Sequence, residues 1–500
     1  MQSTIPALAP YGGPWLVAGF MLVFFFFMFY LSKWWSGGFD QNKSRYLVAD
    51  RELGFWQTGM SVGASYIWAP AMFISATRAY EQGFVGFWWY MIGNIVALLL
   101  YALLVNRVIN RFPEGFTLSD FMGVQHSNRV RYVFWLSLIG LTIGAFATQL
   151  LAGGLFIKFL TGMDYFWATV LITAVPFLYC VFFGFKASVV TDMSKMAVMW
   201  LVAVGAAIWI GGINGMDVVI KGMNGITGEF VSFFDDKGIM VATTFGIAAL
   251  IGLTSGTAGD QALWQRAFAV KDPTTRRNGF LLGMFFYCSV PFAMAVIGFA
   301  AAGAGFKITG GNQYINAAFV ADQLPIWALM AFGVMILMGI TSILDSKMSA
   351  LSCIAGHDIA KAIHKNPTDQ QAISIGKWSM VALCLVAIGI ANIPGVKLVH
   401  LFLSYGAIRA STALPTLIVM WRGKPLHEPA VFWGCLISMF VGVPLLIYGT
   451  LNTIPWATVT GMSFAFFFSG LLGYFWTRAV EKSTGKELRI KTYDEIAKAA

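Results

Sequence analysis

The sequence predicts an all-α integral membrane protein with about thirteen transmembrane helices and a 5+5 inverted-repeat core. Three observations predict it. Of 500 residues, 58% are hydrophobic and only 11% charged, against about 25% charged in an ordinary soluble chain, so most of the surface must face lipid. Thirteen stretches are long and apolar enough to cross about 30 Å of hydrocarbon. Two of them are interrupted by helix-breaking residues five spans apart, the pattern of a transporter built from inverted repeats. The same composition excludes a disordered chain, a disulfide scaffold and a collagen-like repeat. A net charge of +10 would suggest nucleic acid in a soluble protein. In a membrane protein it follows from basic cytoplasmic loops, and no nucleic-acid partner is expected. The five cysteines (Cys180, Cys288, Cys353, Cys384, Cys435) lie scattered in apolar stretches without metal or redox spacing and read as buried small hydrophobes.

In chain order the spans are 14–34, 56–77, 83–106, 131–160, 165–184, 188–211, 240–257, 278–302, 326–357, 376–394, 396–420, 430–450 and 457–477. The first is a mature span rather than a signal peptide, because no Lys or Arg precedes the run Phe24–Tyr30. The connection Asp260–Arg277 sets Leu263, Trp264 and Phe268 against Arg266 and Lys271, with Pro273 as its stop. This predicts an amphipathic helix lying on the cytoplasmic face. Thirteen spans put 24 of the 33 basic residues on one side and 6 on the other, and leave Lys195, Lys347 and Arg409 inside spans. That asymmetry places the N-terminus outside and the C-terminus in the cytoplasm of the cell (plasma or inner) membrane.

Polar groups at bilayer depth are costly and point to function. In the second span, Gly63-Ala64-Ser65-Tyr66-Ile67-Trp68-Ala69-Pro70, Pro70 lacks an N–H and is expected to leave the Tyr66 carbonyl unpaired. Bare carbonyls at that depth line a cavity or hold an ion; otherwise this is an ordinary proline kink. The seventh span ends Gly252-Leu253-Thr254-Ser255-Gly256-Thr257-Ala258-Gly259-Asp260, a poor helix former. Small-residue packing accounts for its glycines but not for their matched placement. In the ninth span, Ser342, Asp345 and Ser346 stand at i, i+3 and i+4 and share one face. Oxygens of that kind suit a hard cation. Asp345 either binds or relays a cation, or pairs with Lys347, Lys195 or Arg409. Asp192 lies about a turn from the start of the sixth span, where the helix dipole also favours a carboxylate. Arg409 is a counter-ion for Asp192 or Asp345, an anchor for an anionic substrate group, or a snorkelling residue; the sequence leaves the three open. Enzyme readings fail: the five histidines make no metal spacing, His357-Asp358 reads as a solvated helix end, and there is no phosphate loop. No organic cofactor is expected.

At these residues the chain resembles the sodium:solute symporter family of proline, sialic acid, sugar and urea symporters, over roughly residues 40–425. Ala64-Ser65-Tyr66-Ile67, Val190-Thr191-Asp192, Thr341-Ser342 through Ser352-Cys353 to His357-Asp358-Ile359, and Asp260-Gln261-Ala262-Leu263-Trp264-Gln265-Arg266-Ala267 carry the resemblance. It implies a LeuT-type fold and a sodium site made by the carbonyls of Ala64 and Ile67 with Gly339 and Ser342. Ile343 stands where the family has a second hydroxyl. A further implied ion site comprises Asp192, Ser342, Ser346 and, in place of a hydroxyl, Asp345. The resemblance implies sodium as the coupling ion; these departures imply a relocated sodium ion or a proton carrier, which makes a proton the alternative. The urea-permease branch is most similar, through Ser65-Tyr66-Ile67-Trp68-Ala69, Gly86-Phe87-Trp88-Trp89-Tyr90 and Asp260–Ala267. The resemblance then implies solute contacts from Tyr66, Trp68, Trp89, Tyr90, Asn94, Thr254, Ser255, Asp260, Gln261 and Tyr405. For the aromatic groups, core packing or a membrane-interface belt is the alternative.

The expected organisation is an extra N-terminal helix (1–40), a first repeat (50–215), a second repeat (238–422), two extra helices (428–480) and a cytoplasmic tail (481–500). The expected activity is cation-coupled import of a small polar solute, urea-like, by a monomer or weak oligomer in the lipid bilayer. A proton-coupled symporter of an amino acid, sugar or carboxylate and a passive solute channel are the alternatives. A sensor is disfavoured by the short tail.

Overall fold

Backbone amides in lipid must find partners within their own segment, which leaves helices or closed barrels as the spanning structures. The chain answers with helices. Its computed structural model describes residues 13–36, 42–308, 311–396, 398–491 and 495. The first twelve residues of the expected N-terminal unit, Lys397 of the outer-side count, and residues 492–494 and 496–500 of the tail lie outside the described residues. Among the described residues the sheet pairing amounts to one isolated parallel bridge, Leu53 with Val270.

Eleven helices among the described residues are long and apolar enough to cross a membrane. Two of them contain a sharp turn: Ala69–Leu104 with 36 residues and Tyr165–Asn214 with 50. At about 1.5 Å per residue the second would run about 75 Å, more than two bilayer cores. Each changes direction at a left-handed glycine, Gly83 (φ 58°) and Gly184 (φ 61°). A Cβ would lie 2.1 Å from the Met223 carbonyl oxygen at Gly83, and 2.4 Å from that of Tyr46 at Gly184. The thirteen expected spans match the eleven helices only when the arms on either side of these two glycines are counted separately. The expected second span is itself divided, into Phe55–Tyr66 and the first arm of Ala69–Leu104.

Helix Pro273–Gly303 runs along both of those pieces, and Ile326–Cys353 lies along Tyr165–Asn214. The closest approach is made by small residues. Gly59 and Gly63 on one helix face Gly279 and Gly283 on the other, each pair at a four-residue spacing. A Cβ at Gly59 would come 2.5 Å from Leu282, at Gly63 2.9 Å from Phe286, at Gly279 2.7 Å from Thr58, and at Gly283 2.6 Å from Val62. Apolar side chains gain nothing by leaving lipid for one another, so membrane helices associate through close van der Waals packing of this kind. The first helix, Gly13–Ser36, packs on Tyr165–Asn214, and the last helices pack on Leu398–Arg422.

The structure corrects the reading of Asp260–Arg277. Helix Gln261–Ala269 is buried along its whole length, with Trp264 and Arg266 at 0% exposure. It plugs the core beneath the second break instead of lying on a face, because Arg266 finds its partners inside the protein. One residue therefore leaves the cytoplasmic count of basic side chains.

The packing argument predicts that Gly283→Leu overpacks the helix pair and costs about 1–3 kcal/mol. The same change at Gly205, where nothing lies within 4 Å of a built Cβ, costs little. Thermal unfolding of the two detergent-purified variants checks this; equal stabilities would contradict it.

Candidate functional site

The first break lies at Ile67-Trp68. Ile67 leaves helical geometry (φ −81°, ψ 79°) and Trp68 is extended. Pro70 falls in the first turn of the following helix, where no N–H is needed. The Tyr66 carbonyl accepts from the Trp68 amide at 3.1 Å, so it is not left bare as the sequence suggested. The Ala69 amide, which heads the next helix, donates to the Gln149 side chain at 2.9 Å. The second break runs from Ser255 to Gly259, between helices Ile247–Thr254 and Gln261–Ala269. The Asp260 side chain caps the lower helix by accepting from the Ala262 amide at 3.0 Å. The two breaks meet: a Cβ at Gly256 would lie 2.0 Å from the Tyr66 hydroxyl, so this glycine makes room for the ring.

Beneath the breaks lies a buried cluster of four charges. Asp192, Lys195, Arg266 and Asp345 are each 0% exposed. Asp345 accepts from Lys195 at 2.5 Å, Tyr179 at 2.7 Å, Ser188 at 2.8 Å and Thr191 at 3.2 Å. Asp192 accepts from Arg266 and Ser61, each at 2.7 Å, and from the Ser342 hydroxyl. Arg266 also donates to Ser61 at 2.9 Å and Ser346 at 2.8 Å. The Ser346 hydroxyl lies 3.3 Å from Asp345 and links the two ion pairs. Buried ions are tolerated only when paired and fully hydrogen-bonded, and these satisfy both conditions. The cluster ties the lower half of the first broken helix (Ser61) to the second broken helix (Arg266), to Ile326–Cys353 and to the second arm of Tyr165–Asn214.

Of the residues expected to hold a cation, Asp192, Ser342, Asp345 and Ser346 come together here, around protein ammonium and guanidinium groups. The Ala64 carbonyl accepts from the Ile67 amide at 3.2 Å. A Cβ at Gly339 would meet Met72 and Met199. Sequence reasoning offered Lys195 among possible partners of Asp345 and missed Arg266, Ser61, Tyr179 and Ser188. Charge balance gave no signal for Arg266, since Lys195, Lys347 and Arg409 inside spans already equal the three acids near the breaks.

Above the cluster, Tyr66, Trp68, Tyr90, Asn94, Tyr287, Phe402, Tyr405 and Arg409 enclose a cavity of about 20 Å³, room for about one water molecule. Tyr66 meets Tyr287 edge to face at 4.9 Å, and Trp68 lies 5.3 Å from Tyr405. Asn94 donates to the carbonyl of Tyr90 at 3.0 Å. Lys347 pairs with Asp260 and lies 4.7 Å from the Trp68 ring. Ser255 accepts from Arg409 at 3.1 Å. The remaining expected solute contacts fall elsewhere. Trp89 packs on the group of Val85, Phe230 and Val241. Gln261 bonds the amide of Leu118 and the carbonyl of Phe116. Thr254 ends the upper half-helix and is not among the residues around the cavity.

His357-Asp358 is not solvated as expected. Both are 4% exposed, because helix Leu118–Gln125 folds over them. His357 meets Asp120 at 3.0 Å, and Asp358 accepts from Thr117, Ser119 and Trp135. Burial works to raise the Asp120 pKa. The hydrogen bond and charge of His357, with Lys361 and Arg131, outweigh it and hold the carboxyl at about 2.

A sequence profile of the sodium:solute symporter family matches residues 46–438. The chain is 23% identical over 86% of its length to "Probable urea active transporter 3" of Schizosaccharomyces pombe, covering 70% of that protein. It is 21% identical over 87% of its length to "Urea-proton symporter DUR3" of Oryza sativa subsp. japonica, covering 65% of it. Among solved structures, a substrate-bound, outward-open Na+-coupled sialic acid symporter superposes with a TM-score of 0.73 at 16% identity, over 94% of this chain and 98% of that one.

The ion pairs make a stability prediction. Lys195→Met leaves Asp345 buried and uncompensated and costs about 3–5 kcal/mol, and Asp345→Asn in the same chain restores most of that loss. Thermal unfolding of both single variants and the double checks it. Strictly additive losses would show that the two groups are not coupled.

Proposed function

Because the chain belongs to the sodium:solute symporter family, matched over residues 46–438, we propose that it is a cation-coupled secondary active symporter that imports a small polar solute by alternating access. The family's members are transporters and the chain is not an enzyme. The observation that carries the reading is the cluster of Asp192, Lys195, Arg266 and Asp345 directly under the two facing breaks. Repeats 50–215 and 238–422 together build the core, whose two helix bundles rock about the breaks, with 1–40 and 428–480 as peripheral additions. The N-terminus faces outward, the tail 481–500 faces the cytoplasm of the cell membrane, and one chain carries all the parts.

The coupling ion in this reading is a proton. A sodium ion needs several unengaged oxygens, whereas here the carboxylates hold resident cations and the Ser342 hydroxyl donates to Asp192. A proton instead adds to a carboxylate in place. Protonation of Asp345 or Asp192 leaves Lys195 or Arg266 without its counter-charge. That cost differs between two packings of the helices and shifts their populations. Solute binding to the favoured packing then strengthens proton binding by the same factor. A urea-like amide is one candidate solute, supported by the relatives' names and the aromatic walls.

Reconstituted in liposomes, the protein is expected to concentrate an accepted solute when an inward proton gradient is imposed without sodium, and to stop when a protonophore is added. Asp345→Asn abolishes accumulation while insertion persists. Accumulation driven only by sodium would overturn the proton assignment. Equilibration without accumulation under either gradient would overturn symport in favour of a passive pore.

A further inference from the structure

Backbone strain is concentrated at one place in the chain. Four non-glycine residues among the described ones have positive φ, and three of them are consecutive: Ala49 (49°), Asp50 (55°) and Arg51 (59°). In that conformation a side chain crowds the carbonyl that follows it. A run of three persists only where the surroundings enforce it, and strain of this kind points to function. Both ends of the run are held. Before it, helix Lys43–Val48 is pinned by its buried Tyr46, Leu47 and Val48. After it, Leu53 forms the parallel bridge with Val270, its amide donating to the Ala269 carbonyl at 3.0 Å. That bridge fastens the lower halves of the two broken helices, Phe55–Tyr66 and Gln261–Ala269, to each other.

Both halves grip the same strip of chain. Arg51 donates to the carbonyls of Glu114 and Gly115, each at 2.9 Å, and to that of Phe268 at 3.1 Å, and it lies 4.8 Å from the Phe116 ring. Gln261, 1% exposed, donates to the Phe116 carbonyl and accepts from the Leu118 amide, each at 3.0 Å. The strip is also anchored elsewhere. Thr117 donates to Asp358, and helix Leu118–Gln125, which continues the strip, is held where Gln125 bonds both the amide and the carbonyl of Lys491. We propose that Arg51 and Gln261 are the latch of the inner gate. Strip 114–118 closes the way from the breaks to the cytoplasm. The two lower halves, joined at Leu53 and Val270, leave it together, and the left-handed run relaxes as Arg51 lets go. The strain then favours opening, and the bonds to the strip oppose it. This rests on the alternating-access reading and adds to it the residues that hold the inner side shut.

The chain carries its own reporter. The Cys353 thiol, 0% exposed, lies behind the strip at 3.4 Å from the Phe116 carbonyl, so it reacts when the gate opens. The test measures the rate at which N-ethylmaleimide modifies Cys353 in purified protein with Cys180, Cys288, Cys384 and Cys435 replaced by alanine. Arg51→Gln gives up most of its charge-assisted bonds to the strip and speeds modification at least about tenfold. Ala49→Gly relieves the left-handed run in the closed state and slows modification at least about fivefold. A residue that only supports the fold does not produce these opposite signs. A rate in Ala49→Gly equal to or above that of the parent overturns the proposal, and so does an unchanged rate in Arg51→Gln. Ala49→Gly decides the matter even if Arg51→Gln fails to fold. Opposite shifts in the two variants, with no response of the parent to solute or to an ion gradient in liposomes, leave the latch standing and refute symport. A response of the parent to a gradient, with no effect of either substitution, does the reverse.

Discussion

The pairing of Asp192 with Arg266 and of Asp345 with Lys195 is the constraint on which the rest of the site depends. None of these four groups could be buried alone, because removing an ion from water costs far more than one contact returns. Each therefore dictates where its partner's helix must lie. Arg266 draws helix Gln261–Ala269 into the core; Lys195 fixes the second arm of Tyr165–Asn214 against Ile326–Cys353. Ser61 pins the lower half of the first broken helix to the same point. A change in the charge of any one of these groups acts on several helices together, because each is bonded to residues of more than one helix.

The breaks do complementary work. Neither half of a broken helix could leave its end exposed to lipid, and the ends are satisfied locally: Gln149 receives the Ala69 amide, Asp260 the Ala262 amide, and Arg409 takes the Gly252 carbonyl. The polar side chains at the breaks thus serve the backbone first. What remains around the cavity is mostly aromatic surface, with the Asn94 amide, the Tyr405 hydroxyl and part of one guanidinium.

Much of this was legible in the sequence. Composition and span length gave the membrane fold, and the glycines and hydroxyls of 252–259 with Pro70 marked both breaks. The i, i+3, i+4 face of Ser342, Asp345 and Ser346 located the charge cluster. The failures share one cause. Arg266 and His357-Asp358 were assigned to water because charged residues near span ends normally reach it. Each instead finds partners distant in sequence, Asp192 for Arg266, Asp120 for His357, and Thr117, Ser119 and Trp135 for Asp358, and periodicity does not report such pairs. The turns inside the two longest-running helices were legible as well: the expected spans 56–77 and 83–106, and 165–184 and 188–211, part at Gly83 and Gly184, and the left-handed backbone there with the carbonyls pressed against it shows how the chain turns.

The central claim is that protein cations stand where a metal cation would otherwise bind the acids. Equilibrium binding of radioactive sodium to the purified protein tests it most directly and needs no knowledge of the solute. The account predicts no saturable sodium binding that depends on Asp192 or Asp345. Saturable binding in the wild-type protein that disappears in Asp192→Ala would contradict it.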